Sequence, residues 1–242
     1  MNLIPFTVFK NEKNTEGELV EKTQSDLIDH FKSPEIRDSK LGTRLIGPYL
    51  LNKTNHRNNE NVESITMLAF DIDKTQGKTF DEIFRLVSKY KGVMHTTYRH
   101  TEQQTKCRIL LFLKSLIPKA KFKSVRSNFL SKHDELARII DPSCNHLSAM
   151  YFVYSCSPES QPFARSEELK GQSIDWTIYD QDSFTFPTEI LPSSHGTTDS
   201  LDEELRKLGE SPSTDRYKLL SWNDLKQKKE LEWRVKNIFP KS

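Results

Sequence analysis

Ten consecutive residues constrain this chain more than any others: SITMLAFDID, residues 64–73, an apolar run that closes on two aspartates. Ile65, Met67, Leu68, Ala69, Phe70 and Ile72 fall too close together for an amphipathic helix and read as a central strand buried on both faces. Residues i and i+2 of a strand share a face, so Asp71 and Asp73 project to one side while Phe70 and Ile72 occupy the other. Two like charges at the end of a buried strand are costly unless a cation neutralises them. A divalent metal removes that cost. Mg2+ or Mn2+ favours such oxygen ligands, and a metal pair can bind triphosphate oxygens and activate a 3′-hydroxyl. A strand end that simply meets solvent accounts for the same two residues without a metal.

The sequence after this strand has its own rhythm. Thr79 and Glu82 have capping-box spacing, and Phe80, Ile83, Phe84 and Val87 recur at helical intervals, predicting a helix to about Tyr90 that Gly92 stops. VMHTTY (93–98) and CRILLFL (107–113) read as a hairpin. Pro118 opens a basic helix with Phe122, Val125 and Phe129 on one side, a short helical piece holds Leu136, Ile139 and Ile140, and MYFVYS (150–155) reads as a fourth strand. The order β-α-β-β-α-β predicts an α+β fold: a modified RRM-like, split-βαβ sheet with both helices on one face, plus N-terminal α/β elements. We divide the chain into N-terminal elements completing the domain (1–63), the RRM-like core (64–160), an irregular extension (161–194) and a charged, helical tail (195–242).

Composition excludes a membrane protein: 35% of residues are hydrophobic and 29% charged, and no apolar run approaches the roughly 18 residues of a spanning helix. The first residues lack the layout of a signal peptide, so a cytoplasmic location is expected. Cys107, Cys144 and Cys156 match neither a disulfide framework nor a zinc knuckle, and reduced thiols are expected. The net charge of +2 hides a local imbalance, because residues 104–138 carry nine basic side chains against two acidic ones. Within that block Lys119, Lys121, Lys123 and Arg126 lie on the basic helix, as either a face that tracks a nucleic-acid backbone or a solvated surface. Arg108 sits among apolar residues, where a guanidinium needs an anionic partner such as a phosphate or must snorkel out. His100 stands two residues past the second strand, and Asp141 follows Ile139 and Ile140 as a turn residue or a third carboxylate.

In this order the elements resemble the archaeo-eukaryotic primase superfamily, specifically the primase-polymerase type of plasmid and phage replication proteins. LAFDID with Asp71 and Asp73, TTYRH ending at His100, and IID ending at Asp141 carry the resemblance, over about 60–160. It implies that Asp71, Asp73 and Asp141 hold catalytic Mg2+ or Mn2+ and that His100 contacts the incoming nucleotide's phosphates; Arg108, from its own setting in the next strand, is expected to join His100 there. It also implies a nucleotidyltransferase acting on a single-stranded DNA template with nucleoside triphosphates. A separate helicase or other replication protein is the expected partner of the tail. Two other readings stay open. Asp71-Ile-Asp73-Lys-Thr75 matches the DxDxT loop of haloacid-dehalogenase-like phosphatases, and a non-catalytic RRM-like nucleic-acid binder predicts stacking aromatics, for which Tyr98, Tyr151 and Tyr154 are candidates.

Overall fold

The computed structural model describes residues 3–180, and the expected tail lies outside the described residues. From the amino terminus run β1 (Leu3–Phe9), β2 (Glu18–Thr23), α1 (Gln24–His30), β3 (Glu35–Ile36), β4 (Leu45–Gly47) and β5 (Tyr49–Leu51). There follow β6 (Val62–Ile72), α2 (Phe80–Val87), β7 (Lys91–Thr96), β8 (Cys107–Pro118), α3 (Lys119–Ser131) and α4 (Asp134–Ala137). The last strands are β9 (Tyr151–Phe152), β10 (Ser155–Cys156) and β11 (Ser166–Lys170). They form a five-stranded sheet of order β11-β7-β8-β6-β5, a four-stranded sheet of order β2-β1-β4-β9, and a parallel pair of β10 with β3.

The apolar run that dominates the sequence is β6, at the heart of the larger sheet. Met67 and Phe70, on its opposite faces, are both 0% exposed. Each such side chain contributes roughly 1.5–3 kcal/mol of burial free energy. Both β6 and β7 run antiparallel to β8, which lies between them, so β6-α2-β7 is a split βαβ unit. Phe70 stacks on Phe129 of α3 with ring centroids 5.8 Å apart. The opposite face is covered as well, since His95 of β7 stacks on Phe31 just after α1 and meets the Tyr154 ring at a tilt.

Three sequence expectations change. MYFVYS does not become a fourth strand of this sheet. It gives β9, which pairs with β4, and β10, which pairs with β3. The place beside β6 is already filled, by β5 at one end and at the other by the 141–144 turn, whose Asp141 amide donates to the Asp71 carbonyl (2.9 Å). Residues 166–170, expected within an irregular extension, form the edge strand β11 against β7. Its Glu167, Glu168 and Lys170 suit a sheet margin and mask the strand signal in the sequence. Gly92 does not end α2, which stops at Val87; it lies in β7, where a Cβ would come within 2.1 Å of the Leu110 carbonyl oxygen. Among the described residues no helix is long and apolar enough to cross a membrane.

Candidate functional site

At the end of β6 the backbone decides which side chains meet. The Asp71 amide donates to the Cys144 thiol sulfur (3.1 Å) and its carbonyl accepts from Asp141, so both point away from β8. Asp71 and its registered partner Arg108 therefore form a non-hydrogen-bonded cross-strand pair, the kind that brings side chains closest. Arg108 uses that proximity fully: Nε donates to Oδ1 (2.6 Å), Nη2 to Oδ2 (2.9 Å), and Nη1 to the Phe152 carbonyl. The guanidinium is buried, and its charge is matched inside the protein.

On the far side of Arg108 in the same row stands His95. Its Nδ1 lies 2.8 Å from the Thr96 carbonyl, which can only accept, so the proton sits on Nδ1 and the buried Nε2 has no partner. Burial, with Arg108 as a second cause, pulls its pKa down to about 3. Nothing in the sequence around His95 marks it as more than an ordinary strand residue. The one signal is the hairpin register, which, counted back from the 98–105 turn, sets it opposite Arg108.

The other sequence candidates are placed as follows. Asp73 lies just past the strand with its carboxylate half exposed, 3.7 Å from Lys106 Nζ. Asp141 comes to Asp71 through its backbone, but its carboxylate accepts the Ser143 amide (2.7 Å) and caps the short turn 142–145. That bond holds its pKa below the ordinary carboxylate range. His100 is buried in the hairpin turn, its Nδ1 accepting the Lys106 amide (3.2 Å) and its ring bonded to the Phe163 backbone. Tyr151 and Tyr154 are buried, and the Tyr98 hydroxyl donates to the Arg37 carbonyl, so these three do not form an exposed stacking platform.

The carboxylates do not fit a metal site as they stand. Both oxygens of Asp71 accept from Arg108, Asp141 accepts from Ser143, and among the described residues no three His, Cys, Asp or Glu side chains are grouped to hold a metal ion.

What does gather near this end of β6 is positive charge, Arg57 beside Asp71 and the basic side chains of α3 in the next hollow. A cavity of about 270 Å³ is lined by Asp71, Arg57, Asn59, His146 and Tyr151. Asn59 and His146 also line a second hollow of about 500 Å³ between α3 and the 145–147 turn, which Lys119, Lys123 and Arg126 complete. Lys119 donates to the Glu60 carbonyl (2.7 Å), while Lys121 turns to another side of the helix and pairs with Asp180 (3.2 Å). Arg126 is 7% exposed, lies over the Phe70 ring at 5.3 Å, and donates to the Asn145 side-chain oxygen.

These elements define a class, an α+β domain whose split-βαβ sheet is backed by a second sheet and ends in a cation-lined cleft. Residues 21–175 match the VapE N-terminal domain, which is more than half of the chain, and the chain belongs to that family. Among solved structures it is similar to the AEP domain of the cyanophage S-2L primase-polymerase (PP-N190), with a TM-score of 0.43 and 9% identity over 72% of this chain and 85% of that one. No curated protein matches it in sequence.

Proposed function

We propose that this protein is a primase-like nucleotidyltransferase of plasmid or phage-type replication. It would bind nucleoside triphosphates and a single-stranded DNA template in the cleft at the end of β6. One observation carries the reading: a single carboxylate, Asp71, lines one of two adjoining hollows whose other charged lining is cationic, Arg57 in the first and Lys119, Lys123 and Arg126 in the second. Such a field concentrates polyanions beside an acidic group. Lys119, at the groove, and Lys121, on another side of α3, are the proposed contacts of a template backbone that runs from the cleft over the helix, and Lys123 and Arg126, expected alongside them, line the groove with Lys119. Mg2+ or Mn2+ is the proposed cofactor of nucleotidyl transfer.

A second reading, a nucleic-acid binder without catalysis, is favoured by the Asp71–Arg108 pair, which leaves that carboxylate neutralised. One assay separates the two. The full chain is incubated with single-stranded template, labelled nucleotides and Mg2+ or Mn2+, beside Asp73→Asn, whose exposed side chain makes folding loss a minor concern. Template-dependent incorporation that falls on the order of 10²–10³-fold in Asp73→Asn supports the enzyme. Template binding without incorporation under either metal supports the binder.

A further inference from the structure

Two arginines are buried near the end of β6, and among the described residues only one has an anionic partner. Arg126 finds the neutral amide oxygen of Asn145 and the face of Phe70, its Nη2 is buried without any partner, and among the described residues no carboxylate pairs with it. A buried guanidinium is expensive to leave uncompensated. The groove it lines therefore calls for an anion from outside.

We propose that the groove between α3 and the 145–147 turn is a polyphosphate site, in which Arg126, Lys123 and His146 hold the phosphate chain of a nucleoside triphosphate. This rests on the nucleotide-binding reading above and reassigns the phosphate role that the sequence placed on His100 and Arg108, both of which have internal partners. Three features favour a small polyanion over a strand backbone. The hollow, about 500 Å³, has the size of a small-molecule site rather than a long open channel. Its Arg126 is recessed, whereas backbone contacts are ordinarily made by side chains reaching out from a surface. It also adjoins the Asp71 cavity through Asn59 and His146, so a phosphate chain held there lies beside the strand end.

The test uses the full chain and inorganic tripolyphosphate, without divalent cations, by titration calorimetry. Wild type should bind, and Arg126→Met, which keeps the apolar stem and removes the guanidinium, should bind roughly 10- to 100-fold more weakly. The unliganded melting temperature of Arg126→Met should stay level or rise, because a buried, unpaired charge has been removed. A residue serving only structure would lower it. An oligonucleotide arm should show single-strand affinity changed by less than about twofold, the size expected of a side chain outside the strand path. Absence of tripolyphosphate binding to wild type, equal binding by Arg126→Met, or a loss confined to the oligonucleotide arm would each overturn the site. Should Arg126→Met fail to fold, the same comparison is made with Lys123→Ala/His146→Ala, with the same 10- to 100-fold weakening expected. Tripolyphosphate binding through Arg126 in a protein that makes no primer would defeat the enzyme reading and leave this site standing.

Discussion

Arg108 and Arg126 are an instructive pair. Both are more than nine-tenths buried, at 3% and 7% exposed, and both stand over an aromatic ring, Tyr151 for one and Phe70 for the other. Arg108 directs every nitrogen to an internal acceptor, two of them the oxygens of Asp71. Among the described residues Arg126 has one neutral acceptor and a nitrogen left over. Burial alone therefore does not tell a structural charge from a functional one. The presence of the counter-ion within the fold does.

The largest effect that sharpens this contrast is expected at Asp71. Considered only as one of two repelling aspartates, it looks safe to remove, but Asp71→Ala strands a buried guanidinium. Removing one partner of a buried pair costs about 3–5 kcal/mol. Chemical denaturation should show that drop, and Asp71→Leu/Arg108→Met should recover most of it, since an apolar pair of similar volume is nearly neutral in such places. If Asp71→Ala is as stable as wild type, Arg108 is not the structural member of the pair.

Next in size is a pH effect from the same row. Folded His95 stays neutral down to about pH 3, whereas in the unfolded chain it takes a proton near 6.5. Between those values the unfolded state binds more protons, so stability is complete above about 6.5 and falls as pH drops, by at most about 1.4 kcal/mol per unit for one proton. His30, His100 and His133 are lowered in the same direction by burial, so His95→Phe should reduce the slope of stability against pH rather than abolish it. An unchanged slope would show that His95 is open to protons in the native state.

The smallest effect lies outside the buried row. Lys119→Ala/Lys121→Ala should leave stability within about 0.5 kcal/mol for each surface change. It should also flatten the log-log salt dependence of single-strand binding by roughly 0.7 for each phosphate no longer neutralised. An unaltered salt slope would return both lysines to the role of a solvated helix face.

How much of this could be read beforehand depended on whether the information was local. The β6 strand, the capping box of Thr79 and Glu82, and the hairpin were legible because periodicity and turn chemistry are short-range. The edge strand β11 was hidden because Ser-Glu-Glu-Leu-Lys has little strand character and is recruited by the margin of β7. The diversion of 150–155 into other sheets depended on β5 and the 141–144 turn reaching the margin of β6 first, which no window of sequence displays. At the site, the sequence brought Asp71 and Arg108 to attention separately, but not that they satisfy each other. Arg126 was visible only as one charge of a basic helix, because its burial comes from the 145–147 turn of a later segment.

The backbone bonds from Asp141 and to Cys144 stitch the 141–144 turn onto Asp71, and the residues immediately following, Asn145 and His146, line the groove beside Arg126. The stitch ties strand end and groove wall into one mechanical unit. An anion settling against α3 would thus be registered at the Asp71 and Asp141 amides as slower exchange of their protons with solvent, a record of occupancy written in the main chain.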